Sequence, residues 1–138
     1  MDLEIINIAS DTENNKNIKN RTHYSKLKSS ICGDEIKISL IIKGDKIVDF
    51  GYEGKSCVYC QASASLLSKI SINEHKYTIN KLCDDVKLYF EDDVKVIKNK
   101  WKSLDKILKV KNKPRKECIL LPFKAIKKII ALEFFMKL

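Results

Sequence analysis

An alternation of apolar and polar side chains on either side of a glycine turn constrains the fold more than any other feature of this sequence. Apolar residues stand at every second position from Ile36 to Ile42, and the chain returns from Ile47 to Glu53 with Phe50 and Tyr52. Gly44-Asp45 lies between the two runs as a tight-turn pair. A period of two residues is that of a half-buried strand, so this pattern predicts a β-hairpin. A further strand is predicted over residues 22–29.

In the rest of the chain, apolar residues recur mainly at the intervals that are typical of helices. Apolar stripes at intervals of three and four residues predict helices over 3–9, 59–72, 80–99 and 122–135, and a short amphipathic helix in the lysine-rich segment 98–113. The segment 10–20 is polar and rich in Asn, which predicts a mobile loop. We therefore expect one α+β domain over residues 1–138, with a small antiparallel β-sheet packed against helices on one face.

Length and composition exclude several classes of protein. The chain has 138 residues, 44% of them apolar, which is enough for one hydrophobic core. No apolar run approaches the roughly 18 residues of a membrane span. The start is acidic and lacks the basic region of a signal peptide, so we expect a cytoplasmic location and no membrane partner.

The formal charge of +9 invites a nucleic-acid interpretation, which the residue types do not favour. Only Arg21 and Arg115 among the 27 cationic residues are arginines, the side chain that base edges and phosphates prefer. The lysines between Lys98 and Lys113 are interpreted either as a solvated face or as a surface that steers an acidic partner.

Three cysteines and one aspartate carry the chemistry. Cys32-Gly33-Asp34, Cys57 and Cys118 stand at predicted loops or element boundaries, and together they offer three soft thiolates and one hard carboxylate. Brought together they would form a metal or cluster site whose oxygen ligand is the weakest. Cys57 and Cys118 each precede a predicted helix and have basic neighbours, a setting that favours an anion. We expect both to be reactive thiols.

The two remaining cysteines are interpreted differently. Cys60 forms a C-x-x-C pair with Cys57, which is compatible with an auxiliary metal ligand, a redox pair or a coincidence on a helix. The surrounding sequence does not indicate the strand–CxxC–helix setting of a thioredoxin site, so a small buried residue is favoured. Cys83 lies on an apolar stripe and is predicted to be core. His75 is predicted to be a solvated linker residue.

Three motifs together resemble a known family. Cys32-Gly33-Asp34 comes first, Gly54-Lys55-Ser56-Cys57 follows with Gln61-Ala62-Ser63-Ala64-Ser65, and the last is the run from Arg115 through Cys118 to Phe123. In this order they resemble the U-type iron–sulfur cluster scaffold family, which includes SufU, IscU and the N-terminal domain of NifU. The resemblance implies a compact α+β fold with an exposed metal site at one end. It also implies that Cys32, Asp34, Cys57 and Cys118 bind zinc or a nascent iron–sulfur cluster.

Within that family the chain is most similar to the SufU-like branch. Cys57 and Cys118 are 61 positions apart, as in the branch that carries an insertion, and Arg115 matches its arginine. Glu117 stands where IscU-like members have a histidine. The Asn-Pro that usually precedes the first motif is replaced by Ser30-Ile31.

The expected function is iron–sulfur cluster biogenesis, as a scaffold or sulfur acceptor rather than an ordinary enzyme. The resemblance implies a cysteine desulfurase as the sulfur donor, and downstream assembly proteins or apo-proteins as recipients. Cys57 or Cys118 would accept sulfur, with Arg115 in support. The alternative is a structural zinc-binding adaptor with a basic docking surface and no sulfur transfer.

Overall fold

A three-stranded sheet and four α-helices form the fold in the computed structural model, which describes residues 2–136 and their side chains to residue 132. The elements are α1 (Leu3–Ala9), β1 (His23–Lys28), β2 (Glu35–Lys43), β3 (Lys46–Glu53), α2 (Val58–Ser71), α3 (Lys76–Asp92), two 3₁₀ segments (Asn99–Lys106 and Val110–Arg115) and α4 (Lys116–Met136). The predicted α+β class is confirmed.

The hairpin forms as the alternation predicts. The sheet order is β1-β2-β3, and all pairs are antiparallel, with Leu40 opposite Phe50. Gly44 and Asp45 both have positive φ, +55° and +65°, as a two-residue type I′ turn requires. The apolar face of the hairpin is buried in the core, with Ile36, Ile38, Leu40, Ile47 and Phe50 at most 2% exposed.

Helices α2 and α4 pack against each other and against the sheet. The small residues Ala62, Ser63 and Ala64 of α2 are fully buried, which permits close approach. The Ser63 hydroxyl donates a hydrogen bond of 2.6 Å to the Ile119 carbonyl of α4. Cys83 of α3 lies in the same core, as predicted.

The predicted limits of α3 were wrong at both ends. The helix begins at Lys76, and His75 is its N-cap, since the imidazole Nδ1 accepts the Tyr77 N–H at 3.2 Å. It ends at Asp92, and its C-cap Asp93 has a left-handed conformation, so the predicted extension to residue 99 is absent. Carboxylates at 91–93 lie at the helix C-terminus, where the helix dipole disfavours negative charge.

The predicted start of the last helix was also wrong. Helix α4 begins at Lys116, directly after the second 3₁₀ segment, and Pro122 therefore lies inside it. Because proline has no N–H, the carbonyl of Cys118 has no helical donor four residues on. The apolar stripe that predicted this helix is buried at Phe123, Ile126 and Ile130, whereas the side chain of its last member, Phe134, lies outside the described residues.

The lysine-rich segment forms 3₁₀ turns rather than one amphipathic helix. Its apolar residues Trp101, Leu104, Ile107 and Leu108 are buried as the spacing predicts. Several of its lysines have acidic partners, in the pairs Lys100–Glu74, Lys109–Glu4, Lys111–Asp2 and Lys113–Asp93. These ion pairs connect the segment to the start of the chain and to both ends of α3.

Residues 10–20 form turns that lie against the sheet and α2. The Asn14 amide donates to the Ser68 hydroxyl at 3.0 Å, the Asn14 carbonyl accepts the Tyr52 N–H at 3.0 Å, and Ile18 is buried. The mobility expected from the composition of this segment stays a prediction. Within residues 2–136, no helix has the length and apolar content that crossing a membrane would require.

Candidate metal centre

The Cys32-Gly33-Asp34 motif lies in a tight turn between β1 and β2. Ser29 organises this turn: its hydroxyl accepts the N–H groups of Ile31 and Cys32 at 3.3 Å, and its N–H donates to the Asp34 carbonyl at 2.8 Å. Gly33 has a φ of +76°, a conformation that suits glycine. This turn, and not the alternation of a strand, sets the positions of the Cys32 and Asp34 side chains. Ser29 was missed in the sequence, where only its short polar side chain before a turn could have indicated it.

The second motif reaches the first through a close backbone contact. The Glu35 N–H donates to the Lys55 carbonyl at 2.9 Å, so the loop after β3 runs beside the start of β2. Gly54 permits this approach: its φ is +147°, and a Cβ there would collide with the Glu35 carbonyl. Cys57 is the N-cap residue of α2, as predicted, and its N–H donates to Asp34 Oδ1 at 3.1 Å.

The third motif brings Cys118 to the same place. Cys118 lies in the first turn of α4 rather than before a helix at Pro122, and it is 4% exposed. One ligand atom each from Cys32, Asp34 and Cys118 lies within 4.8 Å of the others. Cys118 thus converges with the Cys32-Gly33-Asp34 motif, which lies far from it in the sequence. The hydrogen bond from the Cys57 N–H to Asp34 places Cys57 beside this group. The Cys57 sulfur, however, does not lie within 4.8 Å of all three ligand atoms.

The surroundings of Cys118 disfavour its thiolate in the metal-free protein, and its predicted reactivity stays a prediction. Burial raises the pKa of the Cys118 thiol well above its ordinary value, and the neighbouring Cys57, Cys32 and Asp34 side chains raise it further. Its basic neighbours in the sequence do not outweigh these effects. Cys57 is half-buried and Cys32 is exposed, so these two thiols are more accessible from solvent.

The donor set fits a cation. Asp34 is 8% exposed, and its Oδ2 is buried without a hydrogen-bond partner among the described residues. An unpartnered buried carboxylate oxygen is unfavourable, and a cation beside it would remove that penalty. Thiolates with one carboxylate oxygen form a ligand set that suits zinc or iron.

Two other predicted site residues lie at the margin of the centre. The exposed Arg115 guanidinium lies 5.4 Å from the centre of the Tyr59 ring. Cys60 is fully buried one turn into α2, and burial raises its pKa to about 12. Cys60 is not part of the three-residue group, and its predicted role as an auxiliary ligand stays a prediction.

One expectation about the C-x-x-C pair was wrong. The pair lies where β3, a short loop and α2 follow one another, so the local order of strand, C-x-x-C and helix is present. The predicted strand that ends at Glu53 and the predicted helix over 59–72 already flank the pair, so this order followed from the sequence.

Comparison with known proteins finds relatives that are named for iron–sulfur cluster assembly and for sulfur transfer. An iron–sulfur cluster assembly scaffold protein IscU from Thermotoga maritima is 31% identical over 104 residues, which are 75% of this chain and 72% of the relative. The zinc-dependent sulfurtransferase SufU from Bacillus subtilis is 26% identical over 122 residues, 86% of this chain and 82% of that protein.

A solved structure similar to this chain has a title that also names iron–sulfur cluster assembly. The crystal structure of a putative iron–sulfur cluster assembly scaffold protein for the SUF system from Fervidobacterium islandicum has a TM-score of 0.83 and 25% sequence identity, and the match covers 94% of this chain and 95% of that chain. The model of the NifU-like N-terminal domain family matches residues 4–91, which include two of the three motifs. Since that match spans more than half of the sequence, the chain belongs to the NifU-like N-terminal domain family of iron–sulfur cluster assembly scaffolds.

Proposed function

We propose that this protein acts in iron–sulfur cluster biogenesis, binding zinc or a nascent cluster through Cys32, Asp34, Cys57 and Cys118 and accepting sulfur from a cysteine desulfurase. The observation that carries the proposal is the convergence of Cys32, Asp34 and Cys118 within 4.8 Å, together with a buried Asp34 oxygen that has no partner among the described residues. The relatives support it, because one is named a cluster scaffold and another a zinc-dependent sulfurtransferase.

The ligands would differ in strength. The three thiolates would hold the cation tightly, and Asp34 would supply the labile oxygen that opens a coordination position without dismantling the site. A bound zinc ion would supply charge that keeps the thiols deprotonated. The cluster itself is cargo, destined for downstream assembly proteins or apo-proteins.

Cys57 is the stronger of the two candidate sulfur acceptors. It is half-buried at the N-terminus of α2, whereas Cys118 is 4% exposed. The Cys57 thiolate would attack the outer sulfur of the persulfide on the donor enzyme. A new S–S bond would form at Cys57, the donor's S–S bond would break, and the donor cysteine would leave as a thiolate. Arg115, close by on the surface, would support the approach of the anionic persulfide.

Metal analysis of the full chain tests the binding half of the proposal. We expect about one zinc per chain in freshly purified protein, and loss of that zinc in Cys32→Ala. Cys83→Ala is the matched control, because Cys83 lies in the core and is not one of the converging ligands. Absence of bound metal, together with no cluster after anaerobic addition of iron and sulfide, would contradict the proposal.

Desulfurase turnover tests the transfer half. A sulfur acceptor should raise the rate at which a cysteine desulfurase consumes cysteine, and Cys57→Ser should abolish that rise. A structural zinc adaptor, the alternative function, binds the metal but leaves the turnover of the desulfurase unchanged.

A further inference from the structure

Cys60 is a fully buried thiol that metal binding and sulfur acceptance leave without a role. It is absent from the group of converging ligands, and an external sulfur donor cannot reach it because its exposure is 0%. It nevertheless lies one helical turn from the proposed acceptor. Its surroundings and its position in α2 indicate what it can do.

The position in α2 favours a bond between the two sulfurs. Cys57 is the N-cap residue, and because the helix begins at Val58, Cys60 is its third residue. An N-cap side chain commonly turns toward the third residue of its helix. Cα atoms three positions apart on a helical turn are about 5 Å from each other, within the roughly 4.4–6.8 Å that a disulfide spans.

No capping hydrogen bond opposes that approach of the Cys57 side chain. It forms no capping hydrogen bond of its own, since the N–H of Cys57 is the group that engages Asp34. Glycine at position 54 and the loop that follows also keep this end of α2 against the start of β2. An accessible thiol at a helix start with a buried thiol one turn inward is the usual arrangement of a redox-active C-x-x-C pair.

We infer that Cys57 and Cys60 form a dithiol that converts a persulfide on Cys57 into a disulfide and free hydrogen sulfide. Cys60 attacks the inner sulfur of the Cys57 persulfide, so that a Cys57–Cys60 bond forms and the bond to the outer sulfur breaks. The outer sulfur leaves with both hydrogens as H₂S. Sulfane sulfur is reduced to sulfide, and the two thiols are oxidised. A small or protein dithiol then reduces the disulfide for the next cycle.

The step rests on the proposed function, because it needs a persulfide at Cys57. Its consequence is that the protein would deliver sulfur at the oxidation state that cluster assembly uses, beside the cation-binding side chains. The division between the two cysteines follows from their exposure: Cys57 receives sulfur from outside, and Cys60 reacts only with what Cys57 already holds.

The test uses the full chain, reduced, treated with a chelator and kept anaerobic, with cysteine persulfide as the probe. Trypsin cleaves after Lys55 and Lys69, so both cysteines fall in one peptide whose mass reports on them. The wild-type peptide should lose two hydrogens as the disulfide forms, with release of one sulfide. In Cys60→Ser and Cys60→Ala the peptide should keep one extra sulfur atom for a time at least about tenfold longer. Cys83→Ser should behave as wild type.

The outcomes separate the inference from the function on which it rests. If the Cys60 variants take up no sulfur on this peptide, Cys57 is not an acceptor. The sulfur transfer proposed at Cys57 then fails, and the dithiol inference fails with it. If they take it up and wild type retains it equally long, the dithiol inference is overturned. Incubation in a glutathione redox buffer is an independent measurement: an intramolecular disulfide is expected in wild type, and a glutathione adduct on Cys57 in wild type would overturn the inference.

Discussion

The two oxygens of the Asp34 carboxylate have different surroundings. Oδ1 accepts the Cys57 N–H at 3.1 Å, while Oδ2 is buried and has no partner among the described residues. The hydrogen bond to Oδ1 positions the start of α2 relative to the β1–β2 turn. The second oxygen is the one available to a cation. One side chain thus contributes separately to the fold and to the proposed ligand set.

Replacement of Asp34 should separate those contributions. Asp34→Asn retains an acceptor for the Cys57 N–H, so the metal-free variant should be at least as stable as wild type. Asp34→Ala removes the acceptor and should lower the free energy of unfolding by about 1 kcal/mol. Both should weaken zinc binding at least about tenfold. Urea unfolding and competition with a zinc indicator measure the two effects. Equal zinc affinity in Asp34→Asn and wild type would remove Asp34 from the ligand set.

Gly54 is a second residue on which the centre depends. Its φ of +147° is accessible essentially to glycine alone, and a Cβ would collide with the Glu35 carbonyl. Gly54→Ala should therefore lower the free energy of unfolding by at least about 3 kcal/mol. Gly44→Ala is the matched control, because its φ is +55° and a Cβ would meet nothing within 4 Å. It should lower the free energy by about 1 kcal/mol. Chemical denaturation measures both, and equal losses would contradict the account of the loop contact.

At the scale of elements, the packing of α2 against α4 places Cys57 near Cys118. The Ser63 hydroxyl donates a hydrogen bond of 2.6 Å to the carbonyl of Ile119, the residue that follows Cys118. Ser71, on the same helix, has a buried hydroxyl without a partner among the described residues. The two serines therefore provide a comparison between a buried hydroxyl that bridges helices and one that does not.

Ser63→Ala should lower the free energy of unfolding by about 1 kcal/mol, since a buried hydrogen bond is lost. Ser71→Ala should leave stability unchanged or increase it, because an unsatisfied hydroxyl is removed. Thermal and urea unfolding of the two variants check this. The same loss in both would mean that the α2–α4 bond contributes nothing of its own.

The elements differ in how far the sequence predicts them, and the reason is physical. The hairpin was predictable because its alternation and its Gly44-Asp45 turn are local signals that agree. The start of α4 was not, because Pro122 resembles a first-turn residue, while the helix continues from a 3₁₀ segment that no local signal marks.

The centre shows the same division between local and tertiary signals. Residue chemistry indicated Cys32, Asp34 and Cys118 as ligands in advance, and the structure brings them together. The backbone contacts that bring them together run from Ser29 and from the Lys55 carbonyl. The burial that raises the pKa of Cys118 is likewise tertiary. None of these could be read from the sequence.

At the scale of the whole molecule, buried thiols link stability to pH. Burial raises the pKa of Cys83 well above its ordinary value, and that of Cys60 to about 12. Above about pH 9 these thiols lose protons in the unfolded chain but keep them in the fold. The unfolded state then binds fewer protons, so the free energy of unfolding falls as pH rises.

We therefore expect the metal-free protein to lose stability between about pH 8 and pH 10, by up to about 1.4 kcal/mol per pH unit for each buried thiol once its unfolded form has ionised. Cys83→Ala should make this decline shallower. The stability of this variant at neutral pH, measured separately, accounts for the packing lost with the sulfur atom. Urea unfolding at a series of pH values gives both slopes. An identical slope in Cys83→Ala and wild type would contradict the linkage.

The whole fold serves to bring together a turn, a helix start and a first helical turn that lie far apart in the sequence. X-ray absorption spectroscopy of the zinc-loaded full chain tests this most directly, because it counts the sulfur and oxygen atoms around the metal. We expect three sulfur ligands and one oxygen. Because Cys32→Ala is expected to lose its zinc on purification, that variant is reloaded with excess zinc, and one sulfur fewer is expected around the metal. A zinc ion surrounded by nitrogen and oxygen alone, or by the same number of sulfurs in Cys32→Ala as in wild type, would contradict the account.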